Sequence, residues 1–234
     1  MPTTLRVLSA GAAQGLIEKL GPGFTDETGV ALDVAFGPVG VTRDALMSGA
    51  PCDVVIISES FAAQLALSGH LDSETRTALG QVNTAICTRE GTTVPRISTP
   101  VELAECLLAA DEICIADPVR ATAGIHLMRV LHQLGIDERV RDRLSVHPNG
   151  STVARAVARS TVTHVLGCAQ MTEILATTGV SLVGRLPGAL ALATTYTASV
   201  AMRADHPSLA RSFIGLITGP EANLARLDAG FLTT

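Results

Sequence analysis

Four short stretches of this sequence gather small residues, hydroxyls, amides and arginines in patterns suited to holding an anion. In the first, Ser9-Ala10-Gly11-Ala12-Ala13 ends an apolar run and opens an amphipathic one. A helix whose first turn is built of such residues leaves its free N–H groups bare, with the positive end of its dipole outward. Ser9, Gly11 and Ala12 are therefore candidate ligand-binding residues, although an ordinary β-α turn fits the same letters. The second stretch is Gly37-Pro38-Val39-Gly40, with Arg43 just beyond it. Its glycines give the backbone access to a ligand, which adds Pro38, Val39 and Gly40 to the candidates. Arg43 serves either as a bidentate grip on a planar carboxylate or as part of a solvated helix face. In the third, Asp117-Pro118-Val119-Arg120-Ala121-Thr122-Ala123-Gly124, Arg120 occupies a loop that runs into a helix, where anion sites concentrate, and Thr122 adds a hydroxyl. The fourth, Asn149-Gly150-Ser151-Thr152, opens onto another helix. Ser151 or Thr152 either caps that helix or faces a ligand beside Asn149. Gln170 follows a strand and can offer its amide.

The elements that position these stretches read as alternating strands and helices. Strands are expected at 5–9, 31–36, 52–58, 82–88, 112–116, 163–167, 182–185 and 194–202, the third being the continuous apolar run of a strand covered on both faces. Helices are expected at 14–28, about 42–48, 60–68, from 99, 125–134, around 153–159, 172–177, 208–218 and 220–228. Thr99-Pro100 supplies a cap with proline in the first turn. The class is α/β. Asp53 and Asp117, each next to a proline-bearing turn, read as residues that hold turns together.

Composition excludes several functions. The 234 residues are 47% hydrophobic and 17% charged, with a net charge of −5 and no basic cluster, so no long-range attraction for nucleic acid or anionic membrane is expected. With no Trp, one Tyr and five Phe, stacking platforms for bases or sugars are not expected either. Five cysteines without a Cys-x-x-Cys pair, and six histidines without metal-ligand spacing, suggest reduced thiols and no metal site. Residues 1–6 run straight into the first strand with no export signal, and no apolar span reaches the length of a membrane helix. The expected location is the cytoplasm, or the periplasm if a leader has been removed. No dinucleotide fingerprint, phosphate loop or nucleophile elbow is present.

The order of Leu8-Ser9-Ala10-Gly11-Ala12, Gly49-Ala50-Pro51-Cys52-Asp53-Val54-Val55-Ile56, Ala116-Asp117-Pro118 with Ala123-Gly124, and Gly219-Pro220-Glu221-Ala222 resembles the molybdate-binding, type 2 periplasmic-binding-protein family, including its aconitate-isomerase-like members. The resemblance covers nearly the whole chain. It implies a two-lobed α/β fold with mixed sheets flanked by helices, lobe I from 1–84 plus 198–234 and lobe II from 85–197, two hinge crossings, and a ligand in the cleft between lobes. The family's oxyanion binders present Ser hydroxyls in the first two loops and a late Tyr. Here those places fall on Ala12, the 38–40 segment and Gly167, so hydroxyl donors for a tetrahedral oxyanion are largely missing. A small organic di- or tricarboxylate held by Arg and backbone N–H groups suits the residues better. Two functions follow from the resemblance. One is cofactor-independent isomerisation of such a carboxylate, an allylic proton shift for which His126, Tyr196 and Glu173 are the candidate proton-transfer residues. The other is a substrate-binding protein that passes molybdate or another small anion to an ABC permease.

Overall fold

The computed structural model describes residues 3–232, which fall into two compact units, Met1–Val82 with Thr194–Thr234, and Asn83–Ala193. Unit 1 begins with β1 (Thr4–Ala10), α1 (Gln14–Thr28), β2 (Ala31–Gly37), α2 (Val39–Met47), β3 (Val54–Ser58) and α3 (Glu59–Leu67). The chain passes into unit 2 along β4 (Thr77–Arg89), then forms α4 (Pro100–Ala109), β5 (Glu112–Ala116), α5 (Thr122–Gln133), α6 (Asp137–Val140), β6 (Leu144–His147), α7 (Gly150–Arg159), β7 (Val165–Gln170), α8 (Met171–Leu175) and β8 (Val180–Arg185). It returns to unit 1 at the start of β9 (Ala193–Val200) and ends with α9 (Pro207–Thr218) and α10 (Asn223–Asp228).

In unit 1, β1 lies between β2 and β3, parallel to both, and β9 runs antiparallel to β3. Every residue of β3 is buried, as its unbroken apolar run requires. Phe24 of α1 meets Phe213 of α9 edge to face, with centroids 5.2 Å apart, which pins these two helices together. Buried Asp53 accepts backbone hydrogen bonds from Arg6 N and His206 N, each at 2.9 Å. Its structural reading stands, and its carboxylate ties residues far apart in sequence.

In unit 2, β7 runs antiparallel to β4 and parallel to β5, which is parallel to β6; β8 pairs antiparallel with β4. Alternation along the strands separates two apolar faces. Ile86, Ile113, Ile115, Leu166 and Cys168 pack with Leu127 and Val130 of α5 and Leu103 and Leu107 of α4. Ala85, Cys87, Cys114, Val165 and Ala169 pack with Val153 and Val157 of α7 and Ile174 of α8. Mixed sheets flanked by helices thus build the α/β fold that the sequence implies.

Three helices start earlier than their sequences suggest. The expected starts near 42, 125 and 153 move to Val39, Thr122 and Gly150, because first turns of Val-Gly-Val, Thr-Ala-Gly and Gly-Ser-Thr carry weak helix propensity that packing overrides. Two elements were not expected at all, α6 and the edge strand β6; the Leu-Ser-Val-His segment is too short for its alternation to stand out. Among the described residues, no helix is long and apolar enough to cross a membrane.

Candidate functional site

In unit 1 the candidates lie at the C-terminal ends of β1 and β2. Ser9 is fully buried and donates its hydroxyl to Ala10 O at 3.0 Å, so that group is already used within the chain. Gly11 and Ala12 belong to a buried 3-10 turn that leads into α1, and neither that turn nor α1 carries a side-chain cap. Pro38 precedes α2, also without a side-chain cap, and Val39 and Gly40 form its buried first turn. Arg43 is engaged locally: Nε and Nη2 donate to Asp44 Oδ1 at 2.8 and 2.6 Å, and the guanidinium carbon lies 5.0 Å from the centroid of the Phe61 ring. Tyr196 is buried on β9 opposite Ser58 and has interactions of its own. A group not anticipated from sequence is Glu59, whose carboxylate accepts Thr197 Oγ1 at 2.6 Å and Arg76 Nη2 at 2.8 Å.

In unit 2 the strand ends lead into two differently built helix starts. After β5, Asp117 Oδ1 accepts Val119 N at 2.7 Å and Arg120 N at 3.0 Å, which shapes the turn as expected and leaves the Arg120 side chain exposed. Ala121 then precedes α5 with no side-chain cap and no acid in the first turn, so the N–H groups around Thr122 and Ala123 have no cap from the chain. Gly124 is obligatory there. A Cβ at this position would overlap the carbonyl oxygens of Ala116 and Asp117, so only glycine lets the helix start so close to the strand end. His126, one turn on, is half-buried with Nε2 2.8 Å from Leu190 O. A carbonyl only accepts, so Nε2 carries the hydrogen and Nδ1 is the basic nitrogen.

The start of α7 is closed from within the chain. Asn149 Oδ1 accepts Thr152 N at 2.9 Å, and Thr152 Oγ1 accepts Asn149 N at 3.1 Å while donating to Asn149 O at 2.7 Å. The cap is therefore Asn149, a correction to the expectation of Ser151 or Thr152, because the helix begins at Gly150 and puts both in its first turn. Ser151 is buried and its interactions are made. The carboxylate of Glu173 lies over this turn and accepts hydrogen bonds from Gly150 N and Ser151 N, as well as from Gln170 N at 3.2 Å. A side chain on residue 150 would occupy the space of that carboxylate. Burial pushes Glu173 up to about 7, against the pull of its three backbone donors.

Gln170 is 3% exposed; its side chain takes part in a capping box with Glu173 at the start of α8, and its amide Nε2 has no hydrogen-bond partner among the described residues. Neither does the hydroxyl of buried Thr84, its register partner on β4, nor that of buried Thr172. By alternation Gln170 shares the sheet face of Leu166 and Cys168, which pack against α5. Because β7 is parallel to β5, Gln170 lies at the sheet end where α5 starts. Buried polar groups without partners are rare and mark places where water or a ligand belongs. Thr84 was missed in the sequence, though Asn83-Thr84 inside an apolar strand was a usable signal; Thr172 had none. The structure thus joins Asn149, Ser151, Thr152, Gln170 and Glu173 into one corner of unit 2. Arg120 and His126 make no hydrogen bond to that corner among the described residues.

Comparison with known proteins adds lineage to this geometry. A family profile described as bacterial extracellular solute-binding protein matches residues 5–232. An aconitate isomerase from Pseudomonas sp. is 30% identical over 97% of this chain and 87% of its own. The periplasmic molybdate-binding protein of Azotobacter vinelandii superposes with a TM-score of 0.77 at 19% identity, covering 98% of this chain and 99% of the other. The sulfate-binding protein of Mycobacterium tuberculosis does so with a TM-score of 0.75 at 17% identity, covering 98% and 86%.

Proposed function

Because the chain belongs to the bacterial extracellular solute-binding protein family, whose fold it shares with binders of small anions, we propose that it binds a small organic di- or tricarboxylate and isomerises it without a cofactor. The observation that carries this reading is the uncapped start of α5 at the same sheet end as the buried Gln170 side chain, whose Nε2 donor is unpartnered among the described residues. Backbone N–H groups at a helix start attract negative charge. An amide with its donor unspent adds a directed hydrogen bond, and a ligand that leaves it unpaired forfeits that bond and the desolvation already incurred. The isomerase half draws on the likeness to the Pseudomonas aconitate isomerase.

In such a reaction a base removes a proton from the methylene carbon beside the double bond. The electron pair spreads over the allylic carbons into the adjoining carboxylates, and a proton returns to the far allylic carbon as the double bond moves. The bound N–H donors face charge that grows in the transition state. His126 through Nδ1, Tyr196 and Glu173 remain the proton-transfer candidates, and burial pushes the Glu173 carboxyl up to about 7. Five unpaired thiols, Cys52, Cys87, Cys106, Cys114 and Cys168, fit a reducing compartment such as the cytoplasm. The test is incubation with trans-aconitate in heavy water. Formation of the cis isomer with deuterium at the allylic carbon is expected, and tight binding of carboxylates with neither conversion nor exchange overturns the enzymatic reading.

The second reading, an anion receptor for an ABC permease, is favoured by one observation: the molybdate- and sulfate-binding proteins share this fold over almost its full length. It predicts binding of molybdate or sulfate at least as tight as that of any carboxylate, measurable by isothermal titration.

A further inference from the structure

Glu173 is the one acidic side chain whose carboxylate is seated on another helix's first turn inside unit 2. It is 7% exposed, reaches α7 across the space that glycine at 150 leaves empty, and takes three backbone N–H groups, those of Gly150, Ser151 and Gln170. Among the described residues no cationic side chain accompanies it. Arg155 and Arg159 of α7 are exposed and line a separate groove with Ala176–Gly179. His147 on β6 is bonded to Ser145, Arg185 at the end of β8 is exposed, and Cys168 of β7 lies on the opposite face of the sheet. On β5 and its exit loop, Glu112 is bonded to Ser160 and Asp117 is spent on its own turn. The negative charge of Glu173 is therefore balanced by backbone dipoles alone, in a place where charge is poorly solvated. A second negative charge held at the Gln170 amide, whose own backbone N–H is bonded to Glu173, meets that carboxylate at low effective dielectric, where like charges favour protonation of one partner.

We propose that Glu173 is the positioning residue of the Asn149–Thr152 corner, and that its carboxylate takes up a proton when an anionic ligand binds beside it in unit 2. This deepens the carboxylate reading and rests on it for the place of the ligand. As a carboxylate, Glu173 holds the α7 start against the β7–α8 corner. As a carboxylic acid it keeps the same seat, loses its charge, and lets the ligand's charge be the only one there. The bond changes balance simply: one proton leaves the buffer and joins a carboxylate oxygen of Glu173, and dissociation of the ligand returns it. Its free-state value near 7 makes the linkage largest between neutral and mildly alkaline pH.

The experiment is isothermal titration of the full chain at pH 7.5–8, in two buffers of different ionisation enthalpy, with cis-aconitate, citrate, sulfate and molybdate as probes. Expected is net uptake of roughly half to one proton per bound anion, abolished in Glu173→Gln, whose neutral amide keeps the volume of the seat. Affinity of the wild-type chain falls about tenfold per pH unit above the free-state value, and that slope flattens in Glu173→Gln. Binding without proton uptake in the wild-type chain overturns the inference while leaving the carboxylate reading intact. Uptake that persists in Glu173→Gln overturns it too, since another group then carries the proton. Proton-linked binding of sulfate or molybdate, with no carboxylate bound, upholds the role of Glu173 and overturns the carboxylate reading. The wild-type titration alone decides the first of these outcomes, whatever the yield of the variant.

Discussion

Helices α5 and α7 both follow parallel strands of the same sheet, yet their first turns are finished in opposite ways. The start of α7 has an Asn149 cap, a reciprocal bond from Thr152 and the Glu173 carboxylate. The start of α5 has alanine at the cap position and no acid in its first turn, with a buried glutamine at the same sheet end whose amide Nε2 is unpartnered among the described residues. A helix end left without internal partners is retained at a cost in stability, since an N-terminal cap is worth about 1 kcal/mol and an orphaned buried amide costs roughly 1–3 kcal/mol. One end therefore serves the fold, and the other is left to something outside the chain. The difference also explains why the same motif, a polar loop before a helix, carries unlike roles at 117–124 and 149–152.

The sharpest break of this comparison is Gly124→Ala. Its Cβ would overlap two backbone carbonyl oxygens, and backbone cannot step aside as a side chain can. A loss of about 3 kcal/mol or more in unfolding free energy is expected, read by urea denaturation, with Gly49→Ala, a loop position with open space around it but positive φ, costing about 1 kcal/mol.

Next in size is the pH dependence set by Glu173. A carboxyl whose folded value is raised, here from 4.5 to about 7, binds its proton more tightly in the folded chain than in the unfolded one. Its contribution is complete below the unfolded value and is lost as pH rises towards the folded value. Stability attributable to this group should fall by about 3 kcal/mol between pH 4.5 and 7 and stay flat above. Subtracting the Glu173→Gln profile from the wild-type profile, measured by urea unfolding across that range, isolates it. A difference profile that rises with pH contradicts the assignment.

Gln170→Leu sharpens the contrast from the other side. Replacing a buried amide whose N–H donor is unpaired by an apolar group of similar size should raise the stability of the ligand-free chain by up to about 1 kcal/mol. The same change should weaken carboxylate binding roughly tenfold. Thermal unfolding and titration calorimetry on one preparation check both. A variant that is destabilised and still binds normally would place Gln170 among the structural residues.

The smallest effect is expected at the closed end. Asn149→Ala removes a cap but leaves Glu173 on the first turn, so a loss of about 1 kcal/mol is expected, with anion affinity unchanged within a factor of two. If affinity collapses instead, the α7 start is part of the ligand's seat.

The strands whose apolar runs are long, β1, β3 and β5, and the helix α1 with its start at Gln14 and end at Thr28, could be read from residue order alone, because periodicity is a local property of the chain. Small-residue loops were legible as special places, Gln170 was picked out by its position after an expected strand, and Glu173 only as one of three groups able to transfer a proton. The helix starts themselves were not legible. Thr122-Ala123-Gly124 and Gly150-Ser151-Thr152 have little helix propensity, and only the sheet beneath them decides that they wind up. Nor could the sequence distinguish the open helix start from the closed one. That distinction depends on a carboxylate 23 positions from Gly150 (residues 150 and 173) reaching the space a missing Cβ leaves, and on Thr84 lying opposite Gln170 in the β4–β7 register. Residue order supplied the groups with their donors and acceptors. Which of them were satisfied and which were left over is a property of contacts between distant segments, and only tertiary structure sets those.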